Sequence, residues 1–302
     1  MSIYSASYTF PPEFMWGITP HDDLISDKDN YSYLFSLQEN RISAAQVGIS
    51  WAKCEPLNGN FDEPYIESIR SLLSRMRERN IAPLVILNTQ EFPAWKNLDR
   101  PGKEDFSDAY EFSVHVIDAL IPYTNHIGMI CPKGALLNRN ELNAKLGLLR
   151  EVIGYIHKLS GTAKAGLLLT SVFSGSSRPL DRFRYGFLRS TEADFLGLST
   201  AADCLNAVRS IFGDERKPVM FLSDGLNEAE AEDKLEIMAD SLYAVWQFYQ
   251  EGWPISGYFS RIGVEPGQAA FDLYANTCRR NAFEISTAMP YLPEKWIRFL
   301  KD

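Results

Sequence analysis

The sequence predicts an α/β protein with the architecture of a (β/α)8 TIM barrel. Eight short apolar segments alternate with helical segments along most of the 302 residues. No Pro-, Gly- or Ser-rich linker interrupts the alternation, so residues 1–302 are expected to form a single barrel domain. A doubly wound open sheet would more often carry a glycine-rich phosphate loop after its first strand. WGITPHDD, which follows that strand here, is not such a loop.

The strand predictions come from short apolar runs bounded by polar or turn-forming residues. Residues 82–88, APLVILN, are the clearest case, because an unbroken apolar run is typical of a strand covered on both faces. The predicted strands are 14–18, 46–51, 82–88, 126–130, 163–170, 194–199, 218–223 and 255–260.

The helix predictions come from apolar residues spaced three and four apart. In the segment 62–80, Asp62 can cap the first turn and Pro64 lies within it. One face of that segment carries Ile66, Ile69, Leu72, Leu73 and Met76. The predicted helices are 30–43, 62–80, 107–120, 140–159, 201–212, 228–252 and 267–282.

The charge, the apolar runs and the cysteines of the sequence limit which partners and cofactors are expected. The net charge is −9 and the pI about 5.1, so neither nucleic acid nor an acidic membrane surface is an expected partner. The sequence has no apolar run long enough for a membrane span and no secretory signal, and a cytoplasmic location is expected. Its four cysteines are isolated, with no CxxC and no metal-ligand spacing, so no metal and no cofactor are expected. A protein partner is left open.

Six sequence stretches, all in the same order, resemble glycoside hydrolase family 1, the retaining β-glucosidases. FPPEFMWGITP is similar to the family's opening strand, and KPVMFLSDG is similar to the strand the family ends in T-E-N-G. The resemblance implies a family-1 barrel and a carbohydrate or other small polar ligand. The six stretches are 10–20, 47–63, 75–95, 194–200, 217–225 and 251–263.

The resemblance also implies that the catalytic dyad is lost. A retaining glycosidase uses two carboxylates roughly 5 Å apart, one as nucleophile and one as acid/base. Aligning Pro132 with the proline of the family's T-F-N-E-P run puts Cys131 at the acid/base position. Aligning Gly225 with the glycine of T-E-N-G puts Ser223 at the nucleophile position. With neither glutamate present, ordinary β-glucosidase activity is not expected.

At other positions of the family pattern this chain also carries a different residue. Gln46 falls at the sugar-binding arginine, and Thr89 falls at the histidine after strand three. Glu91 falls where many members carry the aspartate of H-x-D-L-P, so it is a candidate sugar contact. Only 63 positions separate Cys131 from Asp194, so the resemblance implies a shortened member whose pocket walls are reduced.

Because a barrel builds its site at the C-terminal ends of its strands, polar residues there are the candidate ligand contacts. For several of them two interpretations stay open. Cys131, with Lys133 as a nearby cation, is either a nucleophile or a small replacement for a glutamate. Trp16 either stacks on a ligand ring or packs in the core. The predicted ligand-binding set is Trp16, Asp22, Gln46, Asn88, Gln90, Glu91, Lys133, Asp224 and Arg261.

Two further candidates lie in turn-like sequence. His21 with Asp22 or Asp23 is either an acid/base pair or part of a solvated loop. Asp224, before Gly225, is either a ligand carboxylate or a turn residue.

Three functions follow from these alternatives. The first is a family-1-like barrel that has lost its dyad and binds a carbohydrate or small ligand without hydrolysis, a pseudoenzyme. The second is a repurposed enzyme acting on a sugar or glycoside-like substrate through Glu91, Asp224, His21 or Cys131. The third is an active glycosidase with displaced carboxylates, for example Glu91 and Asp224 facing each other across the mouth.

Overall fold

Eight parallel strands close into a barrel, which confirms the predicted fold class. The computed structural model describes residues 7–20, 30–89, 92–96, 103–131, 139–169, 186–200, 202–212, 216–222, 231–261 and 269–284. Closure is made by the first and last barrel strands, whose register runs from Met15 opposite Gly257 to Ile18 opposite Ser260.

The barrel strands lie within about two residues of the predicted bounds. They are β2 Met15–Ile18, β3 Ala44–Ser50, β4 Ala82–Asn88, β5 His126–Ile130, β6 Lys164–Leu169, β7 Phe195–Ser199, β8 Val219–Leu222 and β9 Ile255–Ser260. Outside the barrel, β1 Ser7–Thr9 pairs antiparallel with β10 Ala282–Glu284. This pair was not predicted, because three residues are too few to show an alternating pattern.

Helices follow most of the strands in the described part of the chain. They are α1 Asn30–Glu39, α2 Trp51–Cys54, α3 Glu63–Glu78, α4 Lys103–Leu120, α5 Arg139–Leu159, α6 (186–190), α7 Ala202–Phe212, α8 Ala231–Gln250 and α9 Ala269–Arg280. The predicted cap of α3 is confirmed, since the Asp62 carboxylate accepts a hydrogen bond from the Tyr65 amide at 3.0 Å.

The end of β3 differs from the prediction. Trp51 begins the short helix α2 instead of ending the strand. Its side chain is fully buried, and its indole N–H donates to the Glu55 carboxylate at 2.7 Å. The buried hydrogen bond to a residue four positions later favours a helical turn at this point over continued strand. Trp51 is thus a core residue.

Side-chain alternation along the strands divides the core into two layers. The inner cluster lies inside the barrel and consists of Ala44, Leu84, Ile86, Leu168, Phe195, Met220 and Phe259. The outer cluster lies between the strands and the surrounding helices and includes Val47, Ile49, Val85 and Leu87.

Glycines on the inner face make room for the largest inner side chains. A Cβ added at Gly166 would lie 2.1 Å from the Phe195 ring, and one at Gly17 would lie 2.3 Å from the Phe259 ring. Gly166 and Phe195 are register partners, as are Gly17 and Phe259. The barrel interior is therefore packed by pairing a glycine with a large residue on the next strand.

Two structural features are absent from the described part of the chain. No helix of that part combines the length and the apolar character needed to cross a membrane. Nor does that part contain a cluster of three or more His, Cys, Asp or Glu side chains arranged to hold a metal ion.

Candidate ligand site at the barrel mouth

Strand β3 presents a polar and open face to the barrel interior. Gln46, Gly48 and Ser50 alternate with Val47 and Ile49, which belong to the outer cluster. Gln46 and Ser50 are half-buried, and Gly48 is exposed although it lies within a barrel strand. A Cβ added at Gly48 would meet no atom within 4 Å. Solvent therefore reaches the barrel interior beside β3.

Neighbouring strands add polar groups to this face. The Thr19 hydroxyl, just beyond β2, donates to the Gln46 side-chain oxygen at 3.0 Å. Asn88, the last residue of β4, pairs in register with Ser50 and is half-buried. Gln46, Ser50 and Asn88 can donate and accept hydrogen bonds, which suits a ligand rich in hydroxyl groups. We call the face formed by Thr19, Gln46, Gly48, Ser50 and Asn88 the polar mouth.

Cys131 does not face the polar mouth. Its backbone N–H donates to the Leu168 carbonyl at 2.9 Å, which extends the pairing of β5 with β6 by one residue. Ile130 packs against the inner cluster, whereas Cys131 belongs to the outer cluster and is 2% exposed. The alternation of the strand thus directs the thiol away from the interior. This burial argues against Cys131 as a nucleophile and for the alternative that it is a packing residue.

Trp16 also points away from the barrel interior. It is 3% exposed, and its ring lies 4.6 Å from the Phe14 ring, centroid to centroid. Its indole N–H donates to the Asn281 side-chain oxygen at 2.8 Å. Of the two interpretations of Trp16, this geometry supports core packing and not stacking on a ligand.

The remaining predicted site residues divide into one that is described and eight that are not. Arg261 directly follows β9 and is exposed. The others lie outside the described residues, and their roles stay predictions: His21, Asp22, Asp23, Gln90, Glu91, Lys133, Ser223 and Asp224.

The histidines of the described part lie away from the polar mouth. His115 on α4 pairs with Glu63 at 3.2 Å, and His157 on α5 pairs with Asp194 at 2.8 Å. His126 begins β5 at the opposite end of the barrel from Asn88 and packs edge-on against the Phe195 ring. None of these three can act as a base at the mouth.

His126 makes stability depend on pH. Burial lowers its pKa from the ordinary value of 6.5, Lys164 lowers the pKa further, and Asp194 opposes both. The unfolded chain therefore binds this proton more readily, so the contribution of neutral His126 is complete above pH 6.5 and declines as the pH falls below it. We expect the free energy of unfolding to fall more steeply from pH 7 to pH 5 in the wild type than in His126→Phe. Urea titrations at several pH values between about 7 and 5 measure the free energy of unfolding of both proteins. The same dependence on pH in the wild type and in His126→Phe would contradict the role given to His126.

Part of the polar mouth was not identified from the sequence. Ser50 and Thr19 lie in the predicted strand-end segments, but Gly48 lies inside a strand and was not singled out. An isolated glycine within a strand pattern was the available signal, because such a glycine often marks a place where a ligand approaches the backbone.

The fold and the polar mouth define a class of protein: a (β/α)8 barrel whose interior is accessible beside β3. The β-glycosidase of Pyrococcus horikoshii is similar, with a TM-score of 0.70, 15% identity and coverage of 96% of this chain and 100% of that one. The Thermotoga maritima β-glucosidase in complex with deoxynojirimycin has a TM-score of 0.67, 12% identity and coverage of 92% and 100%.

A third solved structure, the β-glycosidase BGL167, has a TM-score of 0.66 and 15% identity, with coverage of 83% of this chain and 87% of that one. No family model and no curated protein matches the sequence. At these identities the likeness establishes the fold, which is the fold of the family 1 β-glycosidases. The shortening and the loss of the dyad stay predictions.

Proposed function

We propose that the protein binds a carbohydrate or a similar small polar ligand in the polar mouth and does not hydrolyse glycosides. The observation that carries the proposal is the burial of Cys131, the residue at the acid/base position, in the outer cluster. A side chain held there offers no proton donor to a glycosidic oxygen in the barrel interior.

The end of β8 supports the same conclusion. The strand ends at Leu222, so the next residue in the sequence is Ser223 and not a glutamate. A serine acts as a nucleophile only when a base activates it. His115, His126 and His157, the histidines of the described part, are engaged elsewhere or lie at the opposite end of the barrel.

The polar mouth supports binding. Ligand sites combine an accessible cavity with a few convergent polar groups. Gly48 provides the access, and Gln46, Ser50 and Asn88 provide the hydrogen-bonding groups. The Thermotoga maritima structure with deoxynojirimycin shows that a protein of this fold accommodates a sugar-like ligand, which makes that compound a suitable probe.

Substitution at Gly48 tests the proposal. We expect saturable binding of deoxynojirimycin or methyl β-glucoside to the wild type, measured by calorimetric titration. Gly48→Leu should weaken binding at least about tenfold, because its side chain would occupy the open space beside β3. Gly48→Ala is the matched control and should bind within about threefold of the wild type.

Two results would contradict the binding proposal. One is the absence of saturable binding to either compound. The other is equal affinity in Gly48→Leu and the wild type, with circular dichroism showing both folded.

A repurposed enzyme is the second candidate, and the accessible mouth favours it too. Such an enzyme would act on a sugar or glycoside-like substrate through Glu91, Asp224 or His21, which the sequence assigns to strand ends or to the loop after the first strand. It is distinguished from a binding protein by turnover of the bound compound.

A further inference from the structure

A second cavity lies on the outside of the barrel, between α5 and α6. Its volume is about 370 Å³, within the range of small-molecule sites. The described residues that line it come from these two helices and not from a barrel strand: Asn143, Leu146, Gly147, Arg150, Gly186, Phe187 and Ser190. It is therefore separate from the polar mouth, and we call it the helix-pair cavity.

Glycines keep the helix-pair cavity open. Gly147 lies on α5 and Gly186 lies on α6, and a Cβ added at either would meet no atom within 4 Å. A glycine inside a helix destabilises it by roughly 1 kcal/mol relative to alanine. At Gly147 close packing does not require the glycine, and a side chain there would project into the cavity.

Among its described lining residues, the cavity combines an apolar floor with the cation of Arg150. Phe187 and Leu146 form the floor and are 5% and 3% exposed. The Arg150 guanidinium carbon lies 5.6 Å from the centroid of the Phe187 ring. Within the described part of the chain Arg150 makes no ion pair and its side chain is exposed. Because its side chain is exposed and lines the cavity, a ligand can reach the guanidinium.

Two polar side chains lie at the edge of the helix-pair cavity. Asn143 and Arg150 are two turns apart on the same face of α5, and both are exposed. A planar guanidinium binds a carboxylate through two parallel hydrogen bonds, and an amide one or two turns away can add a third. An apolar floor beside this pair fits a molecule that carries an apolar ring next to the charged group.

We propose that the helix-pair cavity binds a small organic carboxylate with a flat apolar body. The carboxylate pairs with Arg150, and the ring lies over Phe187 and Leu146. This site is independent of the polar mouth and of the function proposed for it.

The test uses benzoate, phenylacetate and indole-3-acetate as probes, titrated into the full chain and followed by ligand-observed NMR. At least one should bind saturably, and its neutral amide should bind at least about tenfold more weakly. Arg150→Gln should reduce affinity for the carboxylate by a similar factor, about tenfold, and Gly147→Leu should abolish binding.

Gly154→Leu is the matched control. Gly154 lies on the same helix, is exposed, and has no atom within 4 Å of an added Cβ, but it does not line the cavity. Binding in Gly154→Leu should equal that of the wild type. The proposal is overturned if no probe saturates, if the amide binds as well as its acid, or if Gly147→Leu and Gly154→Leu bind equally. Circular dichroism checks that both variants are folded.

Discussion

Gly166→Ala is expected to lower the free energy of unfolding by about 3 kcal/mol, a large fraction of the stability of an ordinary domain. The added Cβ would lie 2.1 Å from two carbons of the Phe195 ring. Phe195 belongs to the inner cluster, is 3% exposed and packs against the His126 ring, so its own ring has little room to move. Urea denaturation followed by circular dichroism measures the loss.

Two further variants make the Gly166 experiment specific. Gly48→Ala also places a methyl group on the inner face of a barrel strand, but at a position with no atom within 4 Å, so stability should change by less than about 0.5 kcal/mol. Gly166→Ala combined with Phe195→Leu should recover part of the loss, because leucine lacks the ring carbons that the methyl group contacts. Equal losses at Gly48 and Gly166 would contradict the paired packing of the barrel interior.

Glu55→Ala is expected to have a second large effect, about 3 kcal/mol of unfolding free energy. Glu55 is 4% exposed, and its two carboxylate oxygens accept hydrogen bonds from the Trp51 indole N–H and the Gly59 amide, both at 2.7 Å. Removing the carboxylate would leave the two N–H donors without their acceptor. Each buried donor left unsatisfied costs roughly 1–3 kcal/mol. The loop that Glu55 fixes follows α2, the short helix after β3, and β3 carries Gln46, Gly48 and Ser50.

Glu67→Ala is the control for the Glu55 experiment. Glu67 is an exposed residue of α3 whose partner is Arg70, three residues later. Exposed pairs of this kind contribute little, so its loss should stay below about 1 kcal/mol. Glu55→Gln should fall between wild type and Glu55→Ala, since an amide oxygen can still accept one of the two hydrogen bonds. If Glu55→Ala were as stable as Glu67→Ala, the role assigned to the buried carboxylate would be wrong.

Much of the fold could be predicted because the barrel strands differ sharply from the helices in pattern. APLVILN is apolar throughout and forms β4 with the predicted bounds, and β5 and β9 also end where predicted. The β1–β10 pair could not be predicted, because its pairing depends on contacts between chain segments more than 270 residues apart, Thr9 with Ala282 being one. Pairing between such distant segments produces no pattern of residues within either segment.

The candidate site was predictable in part. A strand-end rule selects Asn88, and the family resemblance selects Gln46, and both belong to the polar mouth. The strand-end rule does not predict the direction of a side chain that follows the last strand residue. A role of Cys131 as a nucleophile therefore remained one of two interpretations. Side-chain direction depends on the strand's register within the closed barrel, which placed Cys131 in the outer cluster.

The most direct test of the central proposal is turnover of 4-nitrophenyl β-glucoside by the wild type, with Glu91→Gln and the exposed-site variant Glu67→Gln beside it. The proposed function predicts no turnover above the uncatalysed rate in any of the three, while saturable binding of deoxynojirimycin or methyl β-glucoside persists in the wild type. Turnover by the wild type and by Glu67→Gln that Glu91→Gln abolishes would contradict it, and would identify an active glycosidase with a displaced carboxylate.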